Sequence, residues 1–278
     1  MAQQDKNYWL DQQCAQAFWD QRLALPYQEL LQDTARWLDI QPGEHWLDLG
    51  CGCGQLTAAL WQRSGGQIGE ITAVDCNAVN AEAIDKLRRK LTAAGKTPPI
   101  RFLVGNFSSG LTQFADETFD GIVSGLAISY AESCDAHTGR YTDQAYNHLL
   151  AEMFRVLKPG GRLVFSVNVP NVRFWPIFWK SLRLAFRLSK PAKTLVNALR
   201  MMAYGRWLQR EAKRGRFHYF PIGEIEQRLY QVGFQGFRFC HSYAGQAYVI
   251  AVNKAALTAS QETAAKRMVV PLWLAEKS

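Results

Sequence analysis

The residues best suited to do chemistry lie in one short run, Trp46-Leu47-Asp48-Leu49-Gly50-Cys51-Gly52-Cys53-Gly54. Glycines at alternate positions permit tight backbone dihedrals and let the main chain approach a ligand with no Cβ in the way. Asp48 precedes them, and a second acid, Asp75, closes the apolar stretch Glu70-Ile71-Thr72-Ala73-Val74. An acid at about that distance after a glycine turn is placed to accept hydrogen bonds from ribose hydroxyls. The spacing is G-x-G-x-G, and Gln55 stands where a dinucleotide-binding turn wants its third glycine, which counts against NAD or FAD. Taken singly, Asp48 and Asp75 have a plainer reading as residues that hold turns. In register with the glycines, they point to a ribose-bearing ligand.

Such a turn needs a strand to deliver it and a helix to follow. His45–Leu49 reads as a short buried strand and Gln55–Gln62 as a helix. The alternation continues with a strand at Glu70–Val74, a helix at Ala78–Leu91, and strands at Pro99–Val104 and Phe119–Ile128. Asp143–Leu157 reads as a helix stopped by Pro159-Gly160-Gly161, and Arg162–Val169 as a strand. Ile222–Val232 is a further helix, and Phe234–Ser242 with Ala247–Asn253 an antiparallel hairpin. Strand and helix in turn predict an α/β fold, a Rossmann-like doubly wound and mostly parallel sheet covered on both faces. Ahead of it, the 3–4 spacing of Leu30, Leu31, Thr34, Trp37 and Leu38 predicts helix within Tyr8–Asp39, interrupted by Pro26.

Three pieces together resemble the class I S-adenosylmethionine (SAM)-dependent methyltransferases, especially their small-molecule branch. They are LDLGCGCGQ at the glycine turn, AVD ending at Asp75, and FRVLKPGGRLVFSV before and through the fifth strand. The likeness covers roughly residues 41–169. It implies SAM as cofactor, with Asp48 supporting the turn and the cofactor's amino-acid end, Gly50, Gly52 and Gly54 lining it, and Asp75 holding the ribose. Where many relatives carry an acid after the third strand to meet the adenine amino group, this chain has Gly105-Asn106-Phe107. The Asn106 carbonyl can accept the same hydrogen bond without charge.

Methyl transfer to an acceptor needs a pocket that holds it in line with the methyl carbon and excludes water, and a base where the acceptor carries a proton. The loop after the fourth strand, Ser124–Glu132, is the place for acceptor contacts. It lacks the Asn/Asp-Pro-Pro-aromatic pattern of relatives that methylate amides or bases, which favours a small molecule over nucleic acid. Tyr130 is the first acceptor-site candidate, because a strand end points it at the cleft. His137 follows in a polar loop and is either a general base or a solvated histidine. His45 and His148 read as structural, and His218 lies in the aromatic run Phe217-His218-Tyr219-Phe220, which could fold over the pocket.

The net charge is +8, yet Pro170–Arg216 alone holds twelve Lys and Arg against one acid, Glu211, so the rest of the chain is net negative. Residues 1–40 are expected as a helical segment, 41–169 and 217–253 as the SAM-binding core, 170–216 as a basic helical cap insertion and 254–278 as a tail. Three readings of the insertion stand open: a cap with solvated basic faces, a surface that touches an anionic membrane through its Trp and Phe, or an RNA-binding face. The first two suit O- or C-methylation of a small molecule, and the membrane-touching one suits a lipophilic acceptor. The alternatives in other classes are an RNA methyltransferase and a SAM-binding regulator without catalysis. The six cysteines show no disulfide framework, and Cys51-x-Cys53 without a matching pair is not read as a metal site. With no signal peptide and no run long enough to span a bilayer, the expected location is cytoplasmic, with membrane association through the insertion.

Overall fold

The apolar runs become the strands of one seven-stranded sheet in the computed structural model. The structure describes residue 9 and residues 24–92, 95, 97–173, 175–177, 180 and 205–256. Strands β1 (His45–Leu49), β2 (Glu70–Asp75), β3 (Ile100–Val104), β4 (Phe119–Gly125) and β7 (Leu157–Asn168) pair in parallel, and β8 (Phe234–Ser242) with β9 (Ala247–Lys254) form the closing hairpin. The order across the sheet is β3-β2-β1-β4-β7-β9-β8, with β9 antiparallel to both neighbours. The chain builds outward from β1 to β3 and then returns to lay β4 on the other side of β1. That reversal opens a crevice between β1 and β4 at the carboxyl ends of the strands, where open α/β sheets bind ligands.

The sequence explains this layering directly. β1, β2 and β4 are nearly continuous apolar runs because both faces of a central parallel strand are covered. One face carries Leu47, Leu49, Ile122 and Phe165 against Leu149, Met153 and Val156 of α4 (Gln144–Val156) and Ile225 and Leu229 of α5 (Ile222–Val232). The other carries Trp46, Ile71, Val123 and Val164 against Leu56 and Leu60 of α2 (Gln55–Arg63) and Ile84 of α3 (Asn80–Thr92). Helix α1 (Leu25–Arg36) takes Pro26 in its first turn, where a missing N–H costs nothing. The remainder of the expected N-terminal helix, except residue 9, lies outside the described residues, as do 181–204 of the expected insertion and 257–278 of the tail.

Two strand ends differ most from the sequence expectation, and one hairpin is added. β4 ends at Gly125 and not at Ile128, because Leu126 adopts a left-handed φ of 53° and turns the chain into a 3-10 turn at Ile128–Tyr130. β7 begins at Leu157, through Pro159-Gly160-Gly161, and absorbs that irregularity as a register shift against β4. A small hairpin of β5 (Ser133–Cys134) and β6 (Tyr141–Thr142), unseen in the sequence, follows the 3-10 turn. Within β4, Gly121 lies against the Trp46 ring, where an added Cβ would sit 2.4 Å from the indole. Gly121→Ala is expected to cost about 1–3 kcal/mol through overpacking, read as a lower urea midpoint at unchanged slope.

Candidate active site

The glycine turn is held from below by β2. The Gly50 and Cys51 amides both donate to the Val74 carbonyl, at 2.8 and 3.0 Å. Gly50, Gly52 and Gly54 all have left-handed φ, and two of them meet neighbours too closely for a side chain. A Cβ on Gly50 would lie 2.3 Å from the Ala127 Cβ, and one on Gly54 would lie 2.7 Å from Ile84. A Cβ on Gly52 would meet nothing within 4 Å, so the outer face of the turn is open to a ligand.

Both acids converge on this turn. Asp75 Oδ2 accepts from the Gly52 amide and Oδ1 from the Asn77 amide, each at 2.9 Å, which leaves further lone pairs on both oxygens for a ribose. Asp48 is fully buried beneath the turn. Its Oδ2 accepts from the Thr57 hydroxyl at 2.6 Å, and its Oδ1 has no hydrogen-bond partner among the described residues. Burial, with the nearby Asp75 charge, pushes the Asp48 carboxyl up to about 7 against the pull of the Thr57 bond. An orphaned buried carboxylate oxygen beside an open glycine face fits a cationic ligand, and SAM carries both an ammonium and a sulfonium. Asn106 is exposed, and its Oδ1 accepts from the Ser108 amide at 3.0 Å, capping the 3-10 turn Phe107–Ser109; the Phe107 ring flanks Gly50.

Around Tyr130 an aromatic cluster is built by segments far apart in the chain. Tyr130 ends the 3-10 turn after β4, and its ring meets Trp9 at 4.4 Å, Phe217 at 5.0 Å and Tyr219 at 6.3 Å between centroids. Trp207, from the helical residues 205–213, meets Phe217 at 5.4 Å and Trp9 at 6.2 Å. The Tyr130 hydroxyl accepts from Asn168 Nδ2 at 3.3 Å and from the Tyr219 hydroxyl at 3.4 Å. Burial raises the Tyr130 phenol well above its ordinary value, which keeps the hydroxyl neutral. The Trp9 carbonyl accepts from Asn77 Nδ2 at 2.9 Å, which joins this aromatic cluster to the Asp75 turn.

Arg216 fixes the returning chain to the acceptor loop. Its guanidinium pairs with Glu132 and, at 3.3 Å, with Glu211. The next residues alternate, Phe217 and Tyr219 toward Tyr130, His218 and Phe220 toward Tyr146. His137 sits exposed at the tip of the β5–β6 hairpin, where its amide donates to Asp135 Oδ1. No hydrogen bond or ring contact among the described residues joins its imidazole to Tyr130. The sequence flagged the 217–220 run; it gave no signal for Trp9, Asn77, Asn168 or Trp207, which reach the site only through folding. Among the described residues no His, Cys, Asp and Glu cluster is arranged to hold a metal ion, and no helix is long and apolar enough to cross a membrane.

A carboxyl held above its unfolded pKa stabilises the fold while protonated and loses that contribution as pH rises from about 4 through about 7. Asp48→Asn keeps an acceptor for Thr57 and removes the charge. It is expected to raise the melting temperature of the ligand-free protein by a wider margin at about pH 8 than at about pH 5, while weakening SAM binding about tenfold or more. Calorimetric melting and titration with SAM check both halves; an unchanged melting temperature at the higher pH would contradict the strained carboxylate.

Residues 47–165 match a family model described as a methyltransferase domain. A demethylmenaquinone methyltransferase from Shouchella clausii is 29% identical over 179 residues, covering 64% of this chain and 66% of the relative. A 24-methylenesterol C-methyltransferase from Oryza sativa is 32% identical over 127 residues, covering 46% of this chain and 30% of that one. The chain thus spans less than two-thirds of the length of either. In fold it is similar to an O-methyltransferase family protein from Burkholderia thailandensis, with a TM-score of 0.57 at 16% identity, covering 92% of this chain and 64% of that one. A glycine turn over the buried Asp48, a second acid at the end of β2 and the family match agree, and residues 47–165 form a methyltransferase domain of the class I SAM-dependent kind.

Proposed function

We propose that the protein transfers a methyl group from SAM to the oxygen or carbon of a small, lipophilic acceptor held beside Tyr130. The observation that carries this reading is the aromatic cluster of Trp9, Tyr130, Trp207 and Phe217, next to the Gly50–Ala127 contact and linked to the Asp75 turn through Asn77. SAM supplies an electrophilic methyl group. The chain supplies a desolvated aromatic surface to orient the acceptor, a neutral phenol to hold its polar end, and closure that keeps water out. Two relatives named for a quinone and a sterol support an apolar acceptor.

Residues 170–216 act in this reading as a cap on the core formed by 41–169 and 217–253. Part of the basic charge is spent internally, since Lys180 pairs with Glu29 at 2.6 Å, Arg214 with Glu211 at 3.2 Å, and buried Arg216 with both Glu132 and Glu211. Internal pairing favours a cap over a phosphate-binding face. Exposed Arg206, Arg210 and Lys213 remain for contact with an anionic membrane surface, where a lipophilic acceptor would be found.

Transfer of labelled methyl from SAM into a host extract, separated into lipid, polar, RNA and protein fractions, tests the reading. Label is expected in the lipid fraction and is expected to disappear with Asp75→Ala, which removes the ribose contact. Label confined to RNA would overturn the small-molecule reading in favour of an RNA methyltransferase. SAM binding with no label in any fraction would favour a regulator.

A further inference from the structure

Asn77 stands two residues after Asp75 and is buried. Its main-chain amide donates to Asp75 Oδ1 at 2.9 Å, and its side-chain Oδ1 accepts from the Val79 amide at 3.0 Å, in the turn before α3. With Oδ1 so engaged, Nδ2 is left for the Trp9 carbonyl, to which it donates at 2.9 Å. A carboxamide turned end for end would set N–H against N–H and carbonyl against carbonyl. The turn itself asks only for a side-chain acceptor, which Ser or Asp would supply equally. The N–H that Asn adds is used on Trp9. Ring packing alone does not fix Trp9. Its indole leans on Tyr130 at 4.4 Å and 38°, and meets Phe217 at 6.1 Å and Trp207 at 6.2 Å edge-on. Such ring contacts are broad in geometry and tolerate sliding. A hydrogen bond to the main chain is directional, and it sets where the indole stands against Tyr130.

We propose that Asn77 is a positioning residue for methyl transfer: from the cofactor side of the crevice it holds the Trp9 ring against Tyr130, where the acceptor lies. This rests on the methyl-transfer reading and deepens it, because it names the group that aligns the acceptor wall with the cofactor turn. The two duties of Asn77 use different atoms. Asp75 is met by its main chain, and Trp9 by its side chain. Exchange of the side chain therefore leaves the partner of the ribose acid in place and frees the aromatic wall. SAM binds as before, while the acceptor meets a wall that no longer sets its angle of approach. In-line transfer is sensitive to that angle, since a small misplacement of an orienting group forfeits much of the advantage of holding two reactants together.

Asn77→Ser separates the duties, since it keeps an acceptor for the Val79 amide and is too short to reach Trp9. Fluorine NMR of the full chain labelled with 5-fluorotryptophan reads the tie directly. The Trp9 resonance, identified by its loss in Trp9→Phe, should move toward the solvent position in Asn77→Ser. S-adenosylhomocysteine should still bind within about twofold of the parent, because Ser serves the turn nearly as well as Asn. The loaded protein should bind 2-naphthol, a flat aromatic probe, about tenfold more weakly after the substitution. In a Trp9→Ala background Asn77→Ser should add no further loss, as expected of two residues that act as one unit. An unmoved Trp9 resonance, losses that add in the double variant, or an equal loss of S-adenosylhomocysteine affinity would overturn the proposal. Failure of the underlying reading shows differently. The parent then binds no S-adenosylhomocysteine, or 2-naphthol affinity is indifferent to Trp9→Ala although the resonance shifts, and either result removes the proposal with the reading beneath it.

Discussion

The close approach of Gly50 to Ala127 is the contact on which the site depends. With room for no side chain at Gly50, the turn after β1 and the loop after β4 come together at the carboxyl edge of the sheet. The cofactor turn and the acceptor loop are then neighbours across the crevice that the strand order opens. Leu126 accepts a left-handed φ at this point, and its amide is held by the Ser166 carbonyl at 3.0 Å and by the Ser166 hydroxyl at 3.1 Å. Strain of this kind persists where the surroundings over-determine it, and here β7 supplies the restraint.

Around that contact the polar groups are arranged at some cost to the fold. Among the described residues Asp48 is buried with one oxygen unmet, and Ser129, Tyr146 and His218 carry unmet atoms near the Tyr130 loop. A chain selected only for stability would fill or neutralise these places. The apolar layers on both faces of the sheet leave the polar atoms little freedom to find one another.

The returning segment Arg216–Phe220 divides its side chains between two tasks. Phe217 and Tyr219 complete the aromatic cluster, while His218 and Phe220 pack on α4 beside Tyr146. Arg216 anchors it through buried ion pairs with Glu132 and Glu211. Breaking such a pair on one side strands the other charge in the interior, so the attachment of this segment to the acceptor loop is strongly specified. Arg216 thereby turns inward, while Arg206, Arg210, Lys213 and Arg214 stay exposed.

The sequence by itself determined the layered α/β fold, the order of its elements along the chain, and the glycine turn with its two acids. Those features are local: period and apolar runs set the strands, and Asp48, the three glycines and Asp75 lie at the ends of single elements. Asn106 was legible as a polar residue after β3, but its engagement with Ser108 was not, because a side chain's choice of a local partner has no signature in spacing. Tertiary structure alone decided the acceptor side. Trp9, Tyr130, Trp207 and Phe217 are separated by long stretches of chain and meet only when the sheet reverses direction at β4 and the chain returns from residue 216. Equally, His137 and His218 looked comparable as residues, and only burial set them apart, one at an exposed hairpin tip and the other inside with an unmet nitrogen. Burial and unmet hydrogen bonds are properties of packing between distant segments, and no residue spacing encodes them.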